Sequence, residues 1–388
     1  MSVNSSPRAP AAAMDGLPDD VLVRCLSHLD QATRLKARLV CRRWAALCES
    51  PPLLRTLRLD FVLKRQTALR RMQSLLAHVQ RHGQHLRSLQ MYCFSPEPRE
   101  VNAEAQAMLG SVLALCSGLH DLRFHFAGPG ALLATAAWLP AMRHLWRVII
   151  TAPGSRLRLA GDLSRLSCCE HMEFQADPME LDEQLRLPPA LTTLTIGGVA
   201  PKGAELPPQL QHEGDPLDSG TVLGILLPLR QLTALSLTGV GFRHALPALG
   251  GLSTLQRLHY FLDDERADHI ASLALPPGAW CRSLRWLGTH FHIVYNSLHV
   301  LPHARQLEYL SLADAPAEEL EDFEQFAGWA ARHPPLQRLG MDFDRPINAW
   351  FFDELLDLVS KRPELHVFRT GSMRYPESFW TEMTMDDD

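Results

Sequence analysis

One six-residue pattern, Leu-x-x-Leu-x-Leu, returns along almost the whole chain and limits what it can fold into. It reads LLRTLRL ending at Leu59, LRSLQM at 86–91, LHDLRF at 119–124, CEHMEF at 169–174, LTTLTI at 191–196 and LTALSL at 232–237. It continues as LQRLHY at 255–260, LRWLGT at 284–289, LEYLSL at 307–312, LQRLGM at 336–341 and LHVFRT at 365–370, with a degenerate copy, MRHLWRV, at 142–148. The middle residues fall at 57, 89, 122, 145, 172, 194, 235, 258, 287, 310, 339 and 368, mostly 22 to 33 residues apart. A Leu-x-Leu core is a short strand whose leucines point one way and whose alternate residues point the other. No single copy can cover its own leucines, so copies must stack.

Helical patterns separate the copies, at Thr67–His82, Ala103–Cys116, Ala131–Ala137, Ala267–Leu273, Glu318–Ala331 and Trp350–Ser360. In the last, Phe351, Phe352, Leu355, Leu356, Leu358 and Val359 make one broad apolar face. The expected fold is α/β: a curved, irregular solenoid over 56–380 with parallel strands on the concave side. The repeats resemble the leucine-rich repeat family. The Asn or Cys that this family carries after the last leucine is mostly replaced, by Val62, Phe94, Ala127, Asp177 and Val240, which predicts loosely stacked coils. The long step from 194 to 235 holds a Gly/Pro-rich stretch, read as a surface excursion at 197–220 or, alternatively, a domain break.

Ahead of the repeats, Leu17, Val21, Leu22, Cys25, Leu26 and Leu29 recur at helical spacing. Pro18 stands at the helix entry, where a missing N–H costs nothing, and Asp19 and Asp20 favour the positive end of the dipole. Thr33 is the expected N-cap of a second helix through Leu35, Leu39, Val40, Trp44 and Leu47, which Ser50-Pro51-Pro52 stops. A hairpin of this size has no core of its own. Leu17, Pro18, Val21, Leu22 and Leu26 exceed what one partner helix can cover, so another surface should meet them. The alternative is a capping helix pair on the larger domain.

The order Leu17-Pro18-Asp19-Asp20, the Leu22, Leu26 and Leu29 ladder, and Val40-Cys41-Arg42-Arg43-Trp44 resemble the F-box family over 15–55. In that family the segment docks on a Skp-type adaptor and so joins a cullin–RING ubiquitin ligase. The resemblance implies adaptor binding by Leu17, Pro18, Val21, Leu22, Leu26, Leu29, Val40, Cys41 and Trp44. Two positions depart from it: Thr33-Arg34 replaces the usual Asp-Leu, and Leu53-Leu54 the common Leu-Trp. An F-box before such repeats resembles the F-box/leucine-rich repeat receptors, non-catalytic subunits that bring a protein substrate to the ligase. A non-ligase scaffold is the alternative.

The formal net charge of −5 gives no electrostatic case for nucleic acid. Arg34, Lys36, Arg38, Arg42 and Arg43 read as the solvated face of a helix that buries Leu35, Leu39 and Trp44. Eight cysteines without C-x-x-C spacing read as free thiols of a reducing compartment, cytoplasmic, nuclear or both. The apolar run at Val222–Leu229 is too short to cross a bilayer. Residues 1–14 and 381–388 read as solvated tails, the second acidic.

Nothing in the sequence points to catalysis, a metal or a cofactor: G-x-S-x-G, H-E-x-x-H and Walker-type glycine loops are absent. His290 and His292 would share a strand face, but lack a third ligand. The outward positions beside the leucines hold Tyr92, His125, His171, His259, Phe261, Trp286, His290, Tyr309 and Arg338. Aromatic and Arg side chains are the usual anchors of protein interfaces, so this strip is the candidate substrate surface. A polyanionic cofactor beneath it would need a basic cluster, which Arg338 and Arg369 are too sparse to form.

Overall fold

The computed structural model describes residues 16–62, 65–94, 110–127, 132–134, 139, 142–153, 156–176, 179–182, 184–198, 224–239, 242, 245–262, 270, 272–314, 320–342 and 349–369. Both expected tails, nearly all of the excursion at 197–220, the first half of the expected helix at Ala103–Cys116 and most of that at Ala267–Leu273 lie outside these residues.

The described residues begin with three short helices, α1 (Asp19–Ser27), α2 (Gln31–Ala37) and α3 (Arg42–Cys48). The expected second helix is therefore two. Asp30, not Thr33, caps α2: its carboxylate accepts the Thr33 N–H at 2.9 Å and the Thr33 hydroxyl at 2.7 Å. A turn over Arg38–Val40 ends α2. Cys41 then caps α3, its Sγ accepting the Trp44 N–H at 3.5 Å. That bond accounts for a Cys three residues ahead of the Trp. Leu22, Leu26, Ala37, Leu47, Cys48 and Leu53 form a small core of their own, with Leu17, Val23, Leu29 and Trp44 packed against it.

A 3₁₀ turn at Pro51–Leu54 leads into β1 (Thr56–Val62), the first of twelve parallel strands in one open sheet. The others are β2 (Ser88–Phe94), β3 (Asp121–Ala127), β5 (Arg147–Ala152), β7 (His171–Ala176), β9 (Thr193–Gly197), β10 (Ala234–Thr238), β11 (Arg257–Phe261), β12 (Trp286–His290), β13 (Tyr309–Ala313), β14 (Arg338–Met341) and β15 (His366–Arg369). They pair in sequence order, so each repeat supplies one strand. The register places Leu57, Leu89, Leu122, Val148, Met172, Leu194, Leu235, Leu258, Leu287, Leu310, Leu339 and Val367 side by side. Two repeats are shifted from the sequence reading: Val148 replaces Leu145, and Val367 replaces Phe368. β9 and β10 pair over five residues despite the long step between them, so the excursion does not break the stack.

The missing Asn does not loosen the strand side. At the strand entries before the last, one carbonyl accepts two successive N–H groups from the next coil: Arg55 O from Arg87 and Ser88, Arg87 O from His120 and Asp121, Gln256 O from Arg285 and Trp286. Hydroxyls reinforce this ladder, Thr233 Oγ1 donating to Thr192 O at 3.1 Å and Ser283 Oγ to Leu255 O at 2.8 Å. The irregularity is on the opposite side. There the coils use α4 (Arg65–His82), α5 (Leu246–Leu249), α6 (Phe291–Asn296), α7 (Leu320–Ala331) and α8 (Ala349–Lys361). The helix expected at Ala131–Ala137 is instead strand β4 (Leu132–Ala134), which pairs with β6 (Arg156–Leu159), itself paired with β8 (Met179–Leu181). Three successive coils thus close with a second parallel sheet. In α8 the broad apolar face is split: Phe351 and Leu358 are buried, Leu355 and Val359 half-buried, and Phe352 and Leu356 exposed.

The helical module seats on the edge of this sheet. Gln31 Oε1 accepts the Arg58 N–H at 3.1 Å, capping a donor on the first strand. Arg34 Nη1 donates to the Leu53 carbonyl at 2.7 Å, within the connecting turn.

Candidate adaptor surface and concave face

The helical module divides its apolar residues into two sets. Leu22 and Leu26 are 2% exposed, so both are core residues that no partner can touch directly. This corrects their expected adaptor contact. Leu29 and Trp44 are half-buried against the same core. Leu35 and Leu39 were expected to be buried but are 53% and 86% exposed, and Val40, expected to meet the adaptor, is 65% exposed at the end of the turn at Arg38–Val40. Pro18, Val21, Cys25 and Cys41 are also exposed, and Leu17 is half-buried. A monomer holding this much apolar surface on about thirty residues invites a partner.

Two arginines hold this surface in shape. Arg43 donates to the Leu17 carbonyl at 2.5 Å and to Asp19 Oδ1 at 2.7 Å, tying the Leu-Pro turn to α3. Arg38 pairs with Glu49 across the bend. The basic residues of this segment are thus partly structural rather than one solvated face.

The concave face of the twelve-stranded sheet changes character along its length. In β3, β5 and β7, buried and half-buried residues alternate, so the outer face is open. From β9 to β13 nearly every residue is buried on both faces. Tyr92 is exposed, lies under the Arg58 guanidinium (5.3 Å from carbon to ring centre) and neighbours the His125 ring at 5.9 Å. His125 is half-buried and pairs with Thr151 Oγ1 at 2.5 Å; His171 is half-buried with its ring 5.3 Å from Trp146. Burial lowers both histidine pKa values, and Arg147 adds to the effect at His171.

Three expected contact residues are not surface groups. His259 is 1% exposed with Nδ1 3.0 Å from Ser236 Oγ, and Phe261 is 2% exposed, its ring centre 4.4 Å from that of His259. His290 is buried too. Its Nε2 accepts the Leu262 N–H at 3.0 Å, so Nδ1 carries the proton and donates to Asp314 at 2.6 Å. Asp314 holds a left-handed backbone (φ 53°) to receive it. His290 thus braces two coils. His292 lies in α6 rather than on the strand, so the two histidines share no face.

Trp286 and Tyr309 are half-buried and stack at 5.4 Å, and Tyr309 meets Phe368 at 5.9 Å. Gly288 makes the Trp286 pose possible: a Cβ there would lie 2.5 Å from the indole ring. Arg338 is exposed beside them. The outward strip is therefore two patches, Tyr92–His125–His171 and Trp286–Tyr309–Arg338, with a closed stretch between. Sequence reasoning missed this closure because alternation in a single strand does not reveal what covers it.

Among the described residues, no three His, Cys, Asp or Glu side chains gather as a metal site, and no helix is long and apolar enough to cross a membrane.

Comparison with known proteins bears on the first surface. Residues 14–56 match the family model of the F-box domain. The module with the uncovered Pro18, Leu39 and Val40 side chains is an F-box. No curated protein matches the chain. Among solved structures, a crystal structure of PEPR1–AtPEP1 is similar at 11% identity with a TM-score of 0.21, the match covering 81% of this chain and 48% of that one. The chain spans about half the length of that protein.

Proposed function

We propose that this protein is the substrate-recognition subunit of an SCF-type cullin–RING ubiquitin ligase, working in the cytoplasm, the nucleus or both. Its F-box binds a Skp-type adaptor, and the solenoid, read as leucine-rich repeats running on from residue 56, binds a protein substrate. The subunit performs no bond chemistry. It raises the effective concentration of a substrate lysine near the charged conjugating enzyme. The observation that carries this reading is the F-box surface itself: Leu39, Val40 and Leu35 stand in water while Leu22 and Leu26 complete a core beneath them. The direct adaptor contacts are Leu17, Pro18, Val21, Leu35, Leu39, Val40 and Cys41, and the substrate meets the two open concave patches.

The test is reconstitution. The full chain should co-purify with a Skp-type adaptor and cullin–RING subunits and support ubiquitin transfer to a protein captured through the solenoid. Tyr92→Ala with Trp286→Ala should abolish capture and leave adaptor binding intact. Adaptor binding without any ubiquitin transfer would favour the scaffold reading, and no adaptor binding at all would overturn both.

A further inference from the structure

A cavity of about 740 Å³ opens on the outer side of the last coils, away from both surfaces above. It lies between the segment Leu298–Arg305 and the C-terminal end of α7 with the turn after it. Its volume falls in the range of small-molecule sites.

Three features give the cavity a chemistry. Leu298, Pro302, Pro334 and Pro335 supply apolar walls. Arg305 and Arg332 border it, both exposed, and among the described residues neither guanidinium has an ion-pair partner. Among the described residues no Asp or Glu lines it; Asp322, on the same helix, is engaged with the Tyr295 hydroxyl. Trp329 and His333 also line it, with Gln325; the two rings are 7% and 6% exposed and stacked at 5.0 Å. Trp329 Nε1 and His333 Nε2 are both buried without a hydrogen-bond partner. Burial keeps His333 below its usual pKa, despite a bond to the Ala304 backbone, so the positive charge comes from the two arginines.

We infer that this cavity binds a small amphipathic anion, with an apolar ring or chain against the proline and leucine walls and a carboxylate held by Arg305 and Arg332. Planar guanidiniums suit a carboxylate in pairs. The Trp329 ring lines the cavity, so an occupant shifts its indole resonance. The site is independent of the F-box and of the concave patches.

The probe is 1-naphthoate added to the ¹⁵N-labelled full chain. The Trp329 indole resonance is assigned by its loss in Trp329→Phe. It should move saturably, and Arg305→Gln with Arg332→Gln should weaken binding at least tenfold while the thermal midpoint holds. The neutral analogue 1-naphthalenemethanol should bind at least tenfold more weakly. An unmoved Trp329 resonance, equal binding of the neutral analogue, or unchanged binding in the arginine variant would each overturn the inference.

Discussion

Replacing Leu39 and Val40 by alanine separates adaptor binding from folding. In the free protein these side chains are 86% and 65% exposed, so truncating them removes little packing. Surface changes of this kind usually stay within about 0.5 kcal/mol of neutral stability. The proposed docking buries both. Complete burial of a Leu or Val is worth about 1.5–3 kcal/mol, and scaling each by its exposure gives about 2–4 kcal/mol for the pair. At 1.4 kcal/mol per tenfold, affinity should fall about 30- to 700-fold. Isothermal titration with a purified Skp-type adaptor reads the affinity, and a urea melt of the free chain reads the stability. Affinity within threefold of the parent would show that the exposed bend is not the contact. A large drop in urea midpoint would show that these side chains belong to a core.

Leu26→Ala should do the reverse, costing about 2–5 kcal/mol of F-box stability because Leu26 is buried in a small core, with loss of adaptor binding as a secondary effect of unfolding. Arg362→Leu should destabilise the last coils by about 3–5 kcal/mol in a denaturant melt, since the buried carbonyls of Ala330, His333 and Leu336 lose a charged donor that reaches them at 2.8–3.1 Å. Stability should also depend on acid. Burial depresses the pKa values of His125, His171 and His333, so the unfolded chain takes up protons first as the pH falls. Stability should be level above about pH 6.5 and decline below it, and exchanging the three histidines for glutamine should flatten that decline in urea midpoints.

The strand side of the fold is readable in sequence because its signal is local. Every Leu-x-x-Leu-x-Leu copy except the degenerate one at 142–148 became a strand, and most core residues followed from the alternation. The opposite side was less readable, because whether a coil closes with a helix or with a strand such as β4 depends on the coils above and below it. Neighbour-dependent burial also explains the concave strip: His259 and His290 carry the residue types of a contact surface, but bonds to Ser236, Leu262 and Asp314 turn them inward. In the F-box, helical spacing joined Leu35, Leu39 and Trp44 into one face. Cys41 acting as a cap broke that face in two, a role its sequence neighbours do not announce.

Thiol footprinting tests the adaptor surface without changing a residue. Cys41 and Cys168 are both exposed free thiols, the first adjoining Val40 and the second far along the solenoid, whereas burial raises the Cys93 and Cys169 pKa values to about 12. Iodoacetamide followed by mass spectrometry should modify Cys25, Cys41 and Cys168 in the free chain, and adding a saturating Skp-type adaptor should protect Cys41 and leave Cys168 reactive. Equal modification of Cys41 with and without the adaptor, in a complex shown to have formed, would contradict the assignment of the Leu39–Cys41 bend as the docking surface.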